Sequence, residues 1–185
     1  MTSRFRDDGT DVYSFMDEIL LVCPRCAACA ISRQLRHHGL PATATARQKA
    51  ASVEPPGWFA PRRLTCSSCG YVKEWATSTI HRGWREGRDD YFELPLWLTT
   101  PCCGELLWAY NKAHLDYIQS LVGADLRERR PGPRGWSNAS LAGRLPRWMK
   151  AAKNREQVLA CLQDLQTRAS AAQQGAAPDA ASRRG

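Results

Sequence analysis

Residues Glu18 to Val22 (EILLV) run directly into Cys23-Pro24-Arg25-Cys26, and Arg62 to Thr65 (RRLT) run into Cys66-Ser67-Ser68-Cys69-Gly70. Ala30 to Leu35 can return as a strand after the first pair of cysteines, and Tyr71, Val72 and Trp75 continue the β-prone pattern after the second. Zinc takes four thiolates in a tetrahedron, and two CxxC turns set side by side supply two each. The pattern therefore predicts one zinc ion bound by Cys23, Cys26, Cys66 and Cys69. Four thiolates leave no coordination position for water, so the ion is expected to be structural. Buried free thiols are one alternative. A thioredoxin-like redox pair is another, but that chemistry needs a single CxxC opening a helix after a strand.

The two turns lie 39 residues apart, against about 15–20 in most paired-turn zinc sites. Between Gly39 and Pro61 the chain holds four prolines and six alanines without a sustained apolar period, which predicts a loop over 39–61 at the tip of a hairpin. Such an insertion leaves turn geometry untouched and adds closure entropy only slowly.

Downstream, YFELPLWLT (91–99) and ELLWAY (105–110) predict a second hairpin around Pro101-Cys102-Cys103-Gly104. Asn111 suits an N-cap, and Leu115, Ile118, Val122 and Leu126 predict a helix over 112–128, stopped by Pro131-Gly132-Pro133. Leu141, Leu145, Trp148, Met149 and Ala152 share a second helical face. Asn154 and Gln157 resemble a capping box for a third helix, with Val158, Leu162 and Leu165 as its stripe. From Arg168 the chain is rich in alanine without an aliphatic anchor, which predicts a disordered tail over 168–185. The expected architecture is α+β: a four-cysteine zinc ribbon with an added β-hairpin over 1–110, followed by about three C-terminal helices over 111–167.

The chain of 185 residues carries a net charge of +8. Its size suits one domain with appendages or two small ones, and argues against a large enzyme. Arg127 to Arg155 holds nine basic residues and the single acid Glu128, so this window accounts for the whole excess. Arg144, Arg147, Lys150 and Lys153 are expected to project from the second helix, away from its apolar face, where they could meet phosphates. An ordinary solvated face is the alternative. No apolar run is long enough to span a membrane, no lipidation motif supports surface binding, and no secretory h-region follows Met1 to Asp11, so a cytoplasmic location is expected. Thiols stay reduced there, which favours metal ligation over disulfides.

Other residues admit two readings each. Cys29 extends the first turn to CxxCxxC, yet no fourth cysteine follows nearby as an iron–sulfur pattern requires, so it reads as a small strand residue. Cys102 and Cys103 are neighbours, and neighbours on a strand face opposite ways, which disfavours a shared metal. A second site could recruit one of them with Cys29, His81 or His114. His37, His38, His81 and His114 otherwise read as solvated or capping histidines. Trp75, Trp97 and Trp108 suit a sheet core, whereas Trp58 and Trp84, beside Arg62, Arg63, Arg82, Arg85 and Arg88, could stack on a base. Asp89, Asp90 and Glu93 could act as acids or form a solvated turn. The chain contains no Walker loop, dinucleotide fingerprint, HExxH or GxSxG, and is expected to be nonenzymatic.

The two cysteine turns resemble the zinc ribbon at the N-terminus of transcription factor IIB. With LPLWLTTPCCGELLWAYN (94–111), LRER (126–129) and SLAGRLPRWMKAAKNRE (140–156), the whole chain resembles a group of bacterial proteins with a ribbon of that type. The ribbon likeness covers residues 19–76, and the chain departs from the general factor in its long insertion and in lacking cyclin-like repeats. The resemblance implies a zinc-bound β module and, by analogy, contact with nucleic acid or transcription machinery; it brings no established reaction. A second functional expectation is a protein adaptor that docks through the ribbon and exposed aromatics.

Overall fold

The computed structural model describes residues 3–35, 59–76, 87–129 and 140–174. The fold is organised around EILLV, which forms strand β2 (Glu18–Val22). Its Ile19, Leu20 and Leu21 are almost wholly buried, as expected for an unbroken apolar run covered on both faces. On one side β2 pairs antiparallel with β3 (Cys29–Gln34), followed by β4 (Arg62–Thr65) and β5 (Val72–Trp75) in a four-stranded antiparallel sheet. On the other side its backbone bonds to residues 95–97 and Tyr110, with Trp97 N–H donating to the Leu20 carbonyl at 2.9 Å and Leu20 N–H to that of Tyr110 at 2.8 Å. Strand β2 thus joins the cysteine-bearing sheet to the hairpin β6 (Leu98–Cys102) and β7 (Glu105–Ala109).

Helix α1 (Lys112–Gly123) follows β7 directly. Asn111 is its N-cap: Oδ1 accepts the His114 N–H at 2.9 Å, and Nδ2 donates to the Phe15 and Glu18 carbonyls at 2.7 and 2.8 Å. One amide thereby caps the helix and anchors it to the entry of β2. The helix ends earlier than its apolar spacing predicts. Ala124 is extended, the Asp125 carboxylate accepts the Ser3 N–H, and Leu126–Arg129 becomes strand β8, parallel to β1 (Arg4–Asp7). Arg127 turns back to donate to the carbonyls of Leu121 and Val122, satisfying the helix terminus. Leu126, assigned by periodicity to the buried stripe, is consequently exposed. Strand β1 carries no strong apolar signal; its pairing is secured by tertiary contacts, including the Ser140 hydroxyl donating to Asp7 Oδ2 at 2.7 Å.

The second hairpin also differs in register. Residues 91–94 form a turn around the buried Asp89, whose carboxylate accepts the N–H groups of Tyr91, Phe92 and Leu94 at 2.8–3.0 Å. Asp89 is therefore a buried acceptor rather than part of a solvated turn. Pro101 and Cys102 belong to strand β6, and the two-residue turn is Cys103-Gly104.

The expected second helix is divided into α2 (Leu141–Arg144) and α3 (Arg147–Lys150), followed by a 3-10 turn over Ala152–Asn154. Leu145 adopts ψ 137° ahead of Pro146, the extended conformation that the proline ring imposes on its predecessor. Helix α4 (Arg155–Gln174) does not carry the expected capping box: Asn154 Nδ2 donates to the Trp148 carbonyl, and Gln157 Oε1 accepts from the Cys103 thiol. The helix continues beyond Arg168, with Ala169 fully buried and Arg168 donating to the carbonyls of Trp97 and Thr99, so the expected tail does not begin there. One apolar core takes in β2, β6, β7, α1 and α4, through Leu98, Leu107, Leu115, Ile118, Val158, Leu162 and Leu165. No described helix is long and apolar enough to cross a membrane. The loop expected over 39–61, apart from its last three residues, and the stop at Pro131-Gly132-Pro133 lie outside the described residues.

Candidate metal centre

The turns β2–β3 and β4–β5 lie at the same end of the sheet because Ile31 is paired with Thr65. Their backbones repeat each other. Cys23 N–H donates to the Ala28 carbonyl and its own carbonyl accepts the Ala27 N–H; Cys66 does the same with Tyr71 and Gly70, all four bonds lying at 2.8–3.0 Å. Ala27 and Gly70, each following the second cysteine of its turn, have φ of 57° and 69°. Glycine adopts that left-handed conformation freely, whereas alanine does so at a cost.

This repeat brings the four thiols together. Cys23 and Cys69 Sγ are 3.7 Å apart, Cys26 and Cys66 Sγ 3.6 Å, and all four sulfurs lie within 4.8 Å of one another. Zn–S bonds of about 2.3 Å in a tetrahedron would set sulfurs about 3.8 Å apart. The donor set and spacing therefore fit one zinc-sized ion. Among the described residues no other His, Cys, Asp or Glu group of three or more is gathered this closely.

The thiols also influence each other's protons. Burial raises Cys23, but the N–H groups of Arg25 and Cys26 and the thiols of Cys26 and Cys66 outweigh it and lower its pKa to about 7. At Cys26 the Ala28 N–H favours the thiolate, yet Cys69, burial, Cys66 and Cys23 together push it up to about 12. A bound dication would favour all four thiolates together, so binding should release protons.

Cys29 lies at the start of β3, its thiol directed to the Ala30 carbonyl, with a pKa pushed up to about 12 by burial and by Cys66 and Glu18. His114 is buried rather than solvated. Its ring stacks on Phe15 at 4.9 Å, Nδ1 accepts the Tyr110 N–H, Nε2 has no hydrogen-bond partner among the described residues, and desolvation lowers its pKa to about 3. Arg62 is fully buried, donates to Ser32 Oγ and to the Ser32 and Asp17 carbonyls, and lies 4.6 Å from the Tyr91 ring centroid. Arg63 pairs with Glu74. Trp75 packs in the core against Tyr91, while Trp97 and Trp108 are half-buried at its margin. Trp58, Trp84, Arg82, Arg85, His37, His38 and His81 lie outside the described residues.

The four expected phosphate contacts do not share one helix face. Arg144 and Arg147 are on separate single-turn helices, and Lys153 is in the following 3-10 turn; all three are exposed. Lys150 instead folds back, Nζ donating to the Gly143 carbonyl at 3.2 Å, and burial together with Arg127 and Arg147 lowers its pKa. Sequence reasoning overlooked Cys161, which approaches the Cys102–Cys103 pair across the α4–β6 contact. Its only sequence signal is its place one turn after Gln157 on a helix.

No protein-family model, curated protein or solved structure matches the chain. The four-cysteine cluster is thus identified by its own geometry, as a site consistent with zinc in a mixed α+β chain.

Proposed function

We propose that this is a nonenzymatic, zinc-stabilised nucleic-acid-binding protein, associated with transcription and working in the cytoplasm. A single structural Zn2+ on Cys23, Cys26, Cys66 and Cys69 fixes the ribbon, while Arg144, Arg147 and Lys153 contact phosphates. The observation carrying this reading is that these three cations are exposed and that, among the described residues, no carboxylate pairs with them. Unpaired surface cations form the kind of electrostatic footprint that a phosphate backbone neutralises. Lys150 supports that surface through its carbonyl contacts and contributes long-range charge. The cysteines, all unbridged thiols, suit a reducing compartment.

The test is binding of duplex and single-stranded oligonucleotides across a salt series. Affinity should fall steeply with salt. Changing Arg144, Arg147 and Lys153 together to Gln should reduce the logarithmic slope by about 2–3, at roughly 0.7–0.9 per phosphate contact. Zinc content and melting should stay at parental values. Lys150 is left intact because its loss would disturb α2. Absence of binding at low salt would reject the reading. A protein partner retained at high salt would favour the adaptor alternative, for which edge strand β5 offers Val72, 57 % exposed.

A further inference from the structure

A second group of thiols lies away from the ribbon. Cys102 ends β6, Cys103 begins the hairpin turn, and Cys161 comes from α4. Neighbours on a regular strand would face apart, but Cys103 has left the strand: it has φ 55° and Gly104 has φ 83°. Two positive φ angles in a two-residue hairpin describe a type I′ turn, whose first position favours Asn, Asp or Gly. A cysteine there carries backbone strain, with its half-buried side chain against the margin of the core. The turn swings the Cys103 thiol beside that of Cys102, 3.8 Å away and close to the spacings in the ribbon cluster.

The surrounding contacts position these thiols further. Cys103 donates to Gln157 Oε1 at 3.3 Å, and Cys102 to the Gln157 carbonyl at 3.9 Å. One helical turn later Cys161 reaches the Pro101 carbonyl at 3.9 Å and interacts with Cys102. Cys102 is buried, whereas Cys103 and Cys161 are half-buried, so the group is reachable from its rim. Among the described residues, these three sulfurs are not gathered as tightly as the first cluster's four.

We propose that Cys102, Cys103 and Cys161 form a second, independent site for a soft cation of low coordination number, with copper(I) as the representative ion. Zinc requires a fourth strong ligand, but the oxygens identified here are the Gln157 side-chain and main-chain carbonyls and that of Pro101. Thiolates favour copper(I), which is satisfied by two or three sulfurs. Binding replaces thiol protons with the metal, releases those protons to buffer and requires no oxidant or reductant.

The experiment titrates zinc-loaded full-length protein anaerobically with copper(I), buffered by a competing chelator, while copper and zinc per chain are measured. One copper should bind with zinc retained. Cys161→Ser and Cys103→Asn should each lower copper affinity about tenfold or more, since loss of outer-sphere support alone has an effect of that size. The asparagine variant guards against misfolding because Asn suits the turn better than Cys. Zinc content should remain at the parental value in both. The assignment is overturned if copper enters only by displacing zinc, or if both variants bind copper as the parent does.

Discussion

The four-cysteine end of the sheet and the helix–hairpin body of this protein offer different means of stabilisation. In β4 and β5, strands of four residues each, Arg62, Leu64 and Trp75 are buried while the intervening side chains are exposed. These outer two strands of the four-stranded sheet bury few side chains of their own, and the four thiols at its end could hold one metal ion. The body instead buries Leu98, Leu107, Leu115, Ile118, Val122, Val158, Leu162 and Leu165, each at most 1 % exposed. Strand β2 belongs to both regions. A metal can therefore hold one end of a fold whose other end is held by packing, with a shared strand communicating between them.

The largest expected effect that separates the regions comes from Cys66→Ser. Structural zinc in small modules supplies apparent binding energies of about 10 kcal/mol or more. The variant should lose most of its zinc and the hydrogen-exchange protection of β4 and β5, while α1 and α4 stay protected. Leu162→Ala should do the reverse, costing about 2–5 kcal/mol in the body through lost burial and a residual cavity, with zinc retained below the melting transition. If both variants lose zinc and melt in one coincident transition, the two ends form a single cooperative unit and the distinction fails.

Acid provides a more graded comparison. Burial lowers the His114 pKa from 6.5 to about 3, so the folded body keeps the ring neutral while the unfolded chain protonates it. Its contribution is complete above about pH 6.5 and falls by about 1.4 kcal/mol per pH unit toward pH 3. His114→Phe should remove that part of the acid dependence, as read from denaturant midpoints across pH. An unchanged pH slope would place the titration elsewhere.

The smallest expected effect is within the ribbon. Ala27→Gly relieves the left-handed strain that Gly70 avoids in the matching turn, and should stabilise zinc-loaded protein by up to about 1 kcal/mol. Gly70→Ala should cost about as much. Thermal melts at fixed excess zinc measure both, and responses of the same sign in the two variants would break the correspondence between the turns.

How much of this was legible in the sequence depended on where each constraint resides. The four ribbon cysteines could be read because CxxC spacing and flanking β-prone residues are local. Asn111 was equally legible as a cap, but its two bonds to Phe15 and Glu18 were not, since those partners are more than ninety residues away. Leu126 fitted the helical period and still became strand, because β1 competed for its backbone. The basic segment looked like one amphipathic helix, but Pro146 divides it, so charges aligned by periodicity do not share a face. Cys103 was assigned a strand-like orientation, whereas its positive φ turns it toward Cys102. Arg62 was legible as the start of a strand, but only the assembled sheet and Tyr91 show where its charge is accommodated.

The most direct measurement is the metal content of the purified full-length protein, by elemental analysis with an absorption spectrum. The account requires one zinc per chain, lost in Cys66→Ser together with order in the ribbon. A parent protein that folds its ribbon without metal, or that shows the visible absorption of an iron–sulfur cluster, would contradict it.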